Sequence, residues 1–438
     1  MFQQYPQERV NEPILLHEGS FFVRLGDHYV DATGSARLRW LPSPHIVFDI
    51  AADSPINSGD LASMTVELAD FKTTNCVVHS TDLISTISAS AGAMESEGKQ
   101  RLHSVGFQVV NFRDFNTLGP TVVPGDPTAV GGDSGTTQTL DLKHDGWVIR
   151  LVVVPESRDR YQELETTGGY AFTHVGHLKR SDDSTFSVEE AKDILESLRV
   201  FLSFARGAMC GLPIQWGRGV NGEIAWRRFM SPVADRWKRP YSSWIGTNHG
   251  TVLTELFDSF CRKHNDRDFR EPLAVAVHMY SHCNTRSSGM EGSIILGTAA
   301  LELLGTLIVV DQVGSMSAKE YDKLSAAGRL EELLSILNTE THIPHRVQAL
   351  ARFAGRTGCS NACGALAKLR NGFVHPKEKN RQVVFGPEGR AAAPDACSLS
   401  VWYQELALLH LLDHHGSYCN RTTAKWDWEV EPVPWSKP

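Results

Sequence analysis

The chain has 438 residues, 41% of them hydrophobic and 21% charged, with a net charge of −8 and a pI near 6.1. That length exceeds one ordinary hydrophobic core and points to two or three domains. The acidic balance excludes a protein that grips nucleic acid over its whole surface, so any such site must be a local basic patch. The first residues, MFQQYPQERVNEPILLHEG, lack the basic-then-apolar order of a signal peptide. The eight cysteines are scattered and read as reduced thiols, so a cytoplasmic chain is expected.

Residues 15 to about 180 carry short runs rich in β-branched and aromatic residues, such as SFFVRLG, HIVFDIA and WVIRLVVVP, punctuated by Gly, Pro, Asp and Ser. They predict a β-rich domain, sandwich- or barrel-like, over residues 1–185. Asn116–Gln138 reads as a long exposed loop, and Ser85–Gln100 as another loop or a hairpin tip. At Ser187 the texture changes. Ser187 and Glu190 are spaced as a capping box, apolar residues at Ile194, Leu195, Leu198, Phe201, Leu202 and Ala205 keep helical spacing, and Gly207 and Gly211 mark the end. Residues 186–250 are therefore expected to hold one helix and a junction. Within that junction, Trp216, Trp226, Trp237 and Trp244 stand among several arginines. Aromatics and cations so interleaved suit single-stranded nucleic acid, but packing between domains is the preferred reading.

From residue 251 to 438 the pattern is helical with short loops, which predicts a bundle and, with the preceding region, an α+β protein. The most apolar stretch, Ser293–Val310, carries Glu302 in its middle. A carboxylate at mid-bilayer is costly, so a buried core helix is expected and no membrane partner. Cys359 and Cys363 lie one helical turn apart, with Cys397 and Cys419 as outlying candidates. Zinc usually needs two such pairs, so neither metal nor cofactor is expected. His278 and His282 are also one turn apart, a spacing that permits metal binding, though no acidic partner is evident nearby. His414 and His415 end a helix and are expected at the surface.

The segment KLRNGFVHPK, Lys368–Lys377, holds the candidate chemistry. Leu366, Leu369, Phe373 and Val374 predict a buried stripe. On a helix, Asn371 and His375 lie about 40° apart, one turn from each other, while Arg370 reaches from the adjacent turn. Pro376 disfavours helical conformation at His375 and should leave it half released at the helix end. An imidazole can exchange a proton, a guanidinium can hold a phosphate by two parallel hydrogen bonds, and an amide can orient either. Between residues 343 and 382 the cations are Arg346, Arg352, Arg356, Lys368, Arg370, Lys377, Lys379 and Arg381, against the single acid Glu378. Such a patch suits a polyanion. Composition and spacing leave two readings open: a site for phosphodiester chemistry, or a helix end capped by Arg370 and His375. Glu302 is a second candidate, as a carboxylate that orients Arg370 or His375 or else pairs with another cation.

LRNGFVHP near the end of an all-helical region, after the long helix EGSIILGTAALELL, resembles the HEPN superfamily, whose signature is Arg, a polar residue, three variable residues and His. The layout, β-rich and then helical, is similar to HEPN-domain anti-phage proteins of the ApeA type. The resemblance implies a metal-independent endoribonuclease acting as a homodimer through its helical domain. Arg370 would contact the scissile phosphate, Asn371 would orient the site and His375 would transfer protons. The products would carry 2′,3′-cyclic phosphate. It further implies abortive infection by cutting cellular RNA, transfer RNA for instance, with a phage-derived trigger sensed by the β-rich domain. Two alternatives stand beside it: a non-catalytic module that binds RNA or protein, and a ligand-binding β domain whose helices only dimerise.

Overall fold

The computed structural model describes residues 5–25, 28–53, 64–81, 86–98, 100–115, 139–155, 157–238, 243–423 and 429–436. The fold is α+β. It divides into two compact units, and the division falls inside one helix, after Arg199. The first unit takes the described residues of Met1–Asp114, Gly119–Arg199 and Cys210–Arg239. The second takes Phe115, Val200–Met209 and the described residues from 243 onward.

In the first unit, six antiparallel strands close into a barrel: β1 (Ile14–Leu25), β2 (His28–Arg39), β3 (His45–Ala52), β4 (Met64–Glu67), β5 (Thr74–Thr81) and β6 (Thr86–Ala91), in the order β1-β2-β3-β6-β5-β4. Alternation sets the inside. Phe21, Val23 and Leu25 on β1, Ile46, Phe48 and Ile50 on β3, and Ile87 and Ala89 on β6 are all buried. Small residues make room for large ones. Ala32, Ala36 and Ala89 share the core with Phe21 and Phe48, whose rings meet edge to face at 6.1 Å. The barrel realises the barrel-like expectation. It also corrects the loop or hairpin tip expected at Ser85–Gln100. Thr86–Ala91 is β6, bonded to β3 and β5, because alternating Ser and Ala fit a crowded barrel wall. The other predicted loop, Asn116–Gln138, lies outside the described residues.

A second sheet follows, built from β7 (Ala93–Glu95), β8 (Ser104–Val110), β9 (Thr139–His144), β10 (Trp147–Val153), β11 (Phe172–Arg180), β12 (Gly211–Arg218) and β13 (Ile224–Met230), in the order β7-β13-β12-β8-β11-β10-β9. Every residue of β8 is buried, as a central strand covered on both faces requires. Between the strands run α1 (Ser157–Thr167) and α2 (Val188–Arg206). Helix α2 starts where the capping box placed it. The Ser187 N–H donates to Glu190 Oε2 at 2.8 Å, and the Glu190 N–H donates to Ser187 Oγ at 3.2 Å. It ends at Gly207, whose φ of +73° suits glycine.

Of the region 186–250, Gly211–Arg239 belongs to the first unit and carries β12 and β13, and its tryptophans are buried. Trp216 lies over Gly106, where a Cβ would meet its indole at 2.3 Å, and the Trp226 indole donates to Glu95 at 3.2 Å. Trp237 packs with Val10, Leu164 and Ala171. Trp244, in the second unit, stacks on Phe204 at 4.9 Å. None of the four is a free stacking platform.

His174 on β11 is buried beside Phe112, its Nδ1 3.1 Å from Thr173 Oγ1. Burial pushes its imidazole down to about 3. A histidine depressed on folding adds stability that is complete above its unfolded value, about 6.5, and is lost as pH falls through the folded one. His174→Phe is therefore expected to flatten the decline of the urea midpoint between pH 6.5 and 4. An unchanged slope would show that His174 is not held neutral.

The second unit comprises α3 (Thr251–Asn265), α4 (Arg270–Thr285), α5 (Gly289–Gly305), α6 (Ala318–Tyr321), α7 (Ala326–Ile336), α8 (Gln348–Thr357), α9 (Ala362–Val374), α10 (Glu378–Val384) and α11 (Pro387–Leu411). A π-helical turn, Thr306–Gln312, prolongs α5. Residues 289–312 are long and apolar enough to cross a bilayer, but α5 packs against α4, α7, α9 and α11 as the core helix expected from Glu302. Beyond α11 the chain returns through β14 (Ser417–Tyr418), paired with β15 (Glu431–Pro432).

A buried polar network ties that return to the bundle. Glu405 on α11 is wholly buried and accepts from Arg421 Nε at 2.8 Å and from the Tyr280 hydroxyl at 2.8 Å. Arg421 Nη1 also donates to Asn284 at 3.1 Å, and Asn284 donates to the Gly207 carbonyl at 2.8 Å. Burial, and then the Glu405 charge, hold the Tyr280 phenol well above its usual range.

Candidate active site

Helix α9 begins at Asn361, whose side chain accepts from the Gly364 N–H at 2.9 Å and donates to Glu331 at 2.7 Å. Its inner face is Ala362, Cys363, Ala365, Leu366, Leu369 and Gly372. Leu366 and Leu369 are buried as the stripe predicted. Phe373 is half-buried and Val374 is 39% exposed, because the helix has reached the bundle edge by then. The end of α9 follows from Pro376. His375 leaves the helix at φ −127° and ψ 73°, while its N–H still donates to the Asn371 carbonyl at 2.8 Å. The Arg381 Nε donates to the Pro376 carbonyl at 2.9 Å and so braces the turn.

Gly372 is what allows α10 to fold back on α9. A Cβ there would stand 2.3 Å from Val384 Cγ2. Gly372→Ala is therefore expected to lower stability by about 1–3 kcal/mol through overpacking. Gly372→Ala/Val384→Ala should recover much of the loss in denaturant unfolding. If the single substitution is silent, α10 is not seated as described.

The three candidate residues are partly brought together. Arg370 Nη1 donates to Asn371 Oδ1 at 3.0 Å. The half-buried Arg370 lines a small cavity of about 20 Å³, and its Nε is sealed from solvent and lacks a hydrogen bond. Thr298, Leu301 and Glu302 of α5 and Arg329 of α7 line the same cavity, which holds little more than a water. Asn371 and His375 are exposed, and among the described residues the His375 ring makes no hydrogen bond to either partner. The end of α9 is therefore an open surface.

Glu302 does not pair with Arg370. Its cation is Arg329, at 4.0 Å. Arg329 also donates to the backbone carbonyls of Tyr321 at 3.2 Å and Asp322 at 2.9 Å. The basic patch is smaller in space than in sequence. Arg356 pairs with Glu388 of α11, an acid beyond the counted segment, and the side chain of Lys379 lies outside the described residues. Arg346, Arg352, Lys377 and Arg381 are exposed. All eight cysteines are free thiols, and among the described residues no group of three or more His, Cys, Asp or Glu is arranged to hold a metal.

Two residue groups escaped sequence reading: Arg329, which lines the cavity and pairs with Glu302, and Glu405 with Arg421. For Glu405 the signal was present. It is a lone carboxylate in VWYQELALLHLL, the same irregularity that drew attention to Glu302.

The folds described here coincide with two domain models. Residues 97–240, which hold the second sheet from β8 onward, match the YopA central domain, and residues 266–432, most of the helical unit, match the YopA C-terminal domain. Over nearly its whole length the chain is similar to the YopA protein derived from the SPbeta prophage of Bacillus subtilis (strain 168), with 27% identity over 446 residues, 97% of this chain and 96% of the relative. No solved structure matches.

Proposed function

We propose that this chain is a metal-independent endoribonuclease of anti-phage defence, a HEPN-type enzyme that cuts cellular RNA, transfer RNA included, at Arg370, Asn371 and His375. The observation that carries the reading is the end of α9. A guanidinium and an amide are joined there at 3.0 Å, and Pro376 releases an exposed imidazole one turn on. The cations Lys377 and Arg381 beside it offer a surface for the RNA backbone.

In this mechanism the substrate's 2′-hydroxyl attacks the neighbouring phosphorus, and the 5′-oxygen of the next nucleotide leaves. Arg370 neutralises the phosphate as charge grows on it, and Asn371 fixes the plane of the guanidinium. One imidazole takes the 2′-hydroxyl proton while another protonates the leaving oxygen. A single chain supplies only one His375, so the second comes from a partner copy across a two-fold axis through the helical unit. The β-rich unit would restrain the site until an infection signal arrives.

A second reading draws on the Arg370 side chain itself. Its Nε is enclosed and its Nη1 is engaged by Asn371, as in an arginine that binds or braces without cutting. Incubating the purified chain with transfer RNA separates the two. The nuclease reading expects cleavage in EDTA, products ending in 2′,3′-cyclic phosphate and 5′-hydroxyl, and an inert 2′-deoxy substrate. Cleavage of the deoxy substrate or loss of activity in EDTA would overturn the mechanism. Binding without cleavage would establish the second reading.

A further inference from the structure

We propose that His278 and His282 form a binding site for a late first-row divalent metal such as Zn²⁺ or Cu²⁺, on a face of α4 that the nuclease reading does not use. The two rings are one helical turn apart on the same face, with centroids 4.4 Å apart. Their Nε2 atoms point at each other across 2.6 Å. Imidazole nitrogens bind such metals at about 2.0–2.1 Å, so two neighbouring ligands stand about 3 Å apart. Small rotations of the two rings would open that much room.

The tautomer is also provided for. Nδ1 of His282 lies 2.6 Å from Ser287 Oγ, just past the end of α4. A proton on that Nδ1, donated to the serine, leaves the Nε2 lone pair facing His278. A hydrogen-bonded second nitrogen is the usual way in which a ligating histidine is oriented. His278 is exposed and His282 half-buried, so water or another molecule can complete the coordination. Two neutral imidazoles without a carboxylate favour Zn²⁺, Ni²⁺ or Cu²⁺ over Mg²⁺ or Ca²⁺, which prefer oxygen.

Spacing alone does not make such a site, as a second pair shows. His410 and His414 are also four apart. His414 is buried, contrary to the surface position expected, with its ring edge-on to Trp244 and Nε2 3.2 Å from the Ser417 carbonyl. The His410 ring packs against Trp435. Burial lowers both imidazoles from their ordinary range. Only the α4 pair turns its nitrogens toward each other at the surface.

The test is Cu²⁺ and Zn²⁺ titration of the full chain by calorimetry, with the copper form read by electron paramagnetic resonance. One equivalent is expected per chain, with hyperfine structure from two imidazole nitrogens and no displacement by excess Mg²⁺. His278→Ala and His282→Ala should each weaken binding by more than ~10-fold, and Ser287→Ala by ~10-fold, as loss of an outer-shell partner does. His415→Ala, at an exposed histidine elsewhere, should leave binding intact. Circular dichroism of each variant checks that it is folded. No binding by the unaltered chain, or binding unchanged in both His278→Ala and His282→Ala, overturns the site. RNA cleavage in EDTA is a separate readout, so either proposal can fail while the other stands.

Discussion

Purified His375→Ala protein is expected to cut RNA about 10²–10⁴-fold more slowly than the unaltered chain, the usual loss when a positioned proton-transfer group is removed. The size of the effect follows from where the residue stands. His375 is exposed at the broken end of α9 and contributes its ring to no hydrogen bond among the described residues, so removing the ring should leave the fold intact. Loss of activity would then report chemistry and not unfolding. Arg370→Lys should fail as well, because an ammonium keeps the charge but gives up the planar fork that meets Asn371. Expression of wild type and His375→Ala in phage-challenged cells provides the second measurement. Identical growth with and without phage would remove the main support for a nuclease.

Glu405→Ala is expected to cost about 3–5 kcal/mol in the unfolding of the helical unit, because it strands Arg421 without its counter-charge in a buried site. Glu405 is fully enclosed by α11 and its neighbours, and the Arg421 side chain is 10% exposed. Three groups lose a partner together: the guanidinium, the Tyr280 hydroxyl and, through Arg421, the Asn284 amide. The segment that carries β14 and β15 should loosen with them, visible as faster amide exchange at Tyr418 and Cys419. Replacing both charges, Glu405→Leu with Arg421→Met, should return a large part of the loss, since a well-packed apolar pair avoids the desolvation cost. Urea unfolding of the two singles and the double gives the coupling energy. A Glu405→Ala protein as stable as the parent would mean that the pair is solvated and the network incidental.

The parts legible in the sequence were those decided by local chemistry. Ser187 and Glu190 fixed the start of α2, and Gly207 fixed its end, because caps and left-handed turns depend on neighbours in the chain. Pro376 announced the release of His375 for the same reason. What stayed hidden depended on residues far apart. Thr86–Ala91 has little intrinsic strand character, and only pairing with β3 and β5 makes it one. The strand from Gly211 was masked by Pro213, which sits where the register with β8 shifts between Gly211 and Ile214. At the site, adjacency of Arg370 and Asn371 was evident, but the inward turn of Arg370 toward α5 and α7 was not, since it depends on a cavity built by three helices.

Closing β1 to β6 on themselves, with β4 covering Phe22–Leu25 of β1, shortens the backbone ladder that the wall can offer another molecule. The seven-stranded sheet has two margins. One is β7, only three residues long. The other is β9, where Lys143 faces solvent and Asp141 is held by Arg150 at 2.8 Å. Short and charged margins resist strand addition by neighbouring chains. In a crowded cell, then, these two margins give a neighbouring copy little backbone on which to template misassembly.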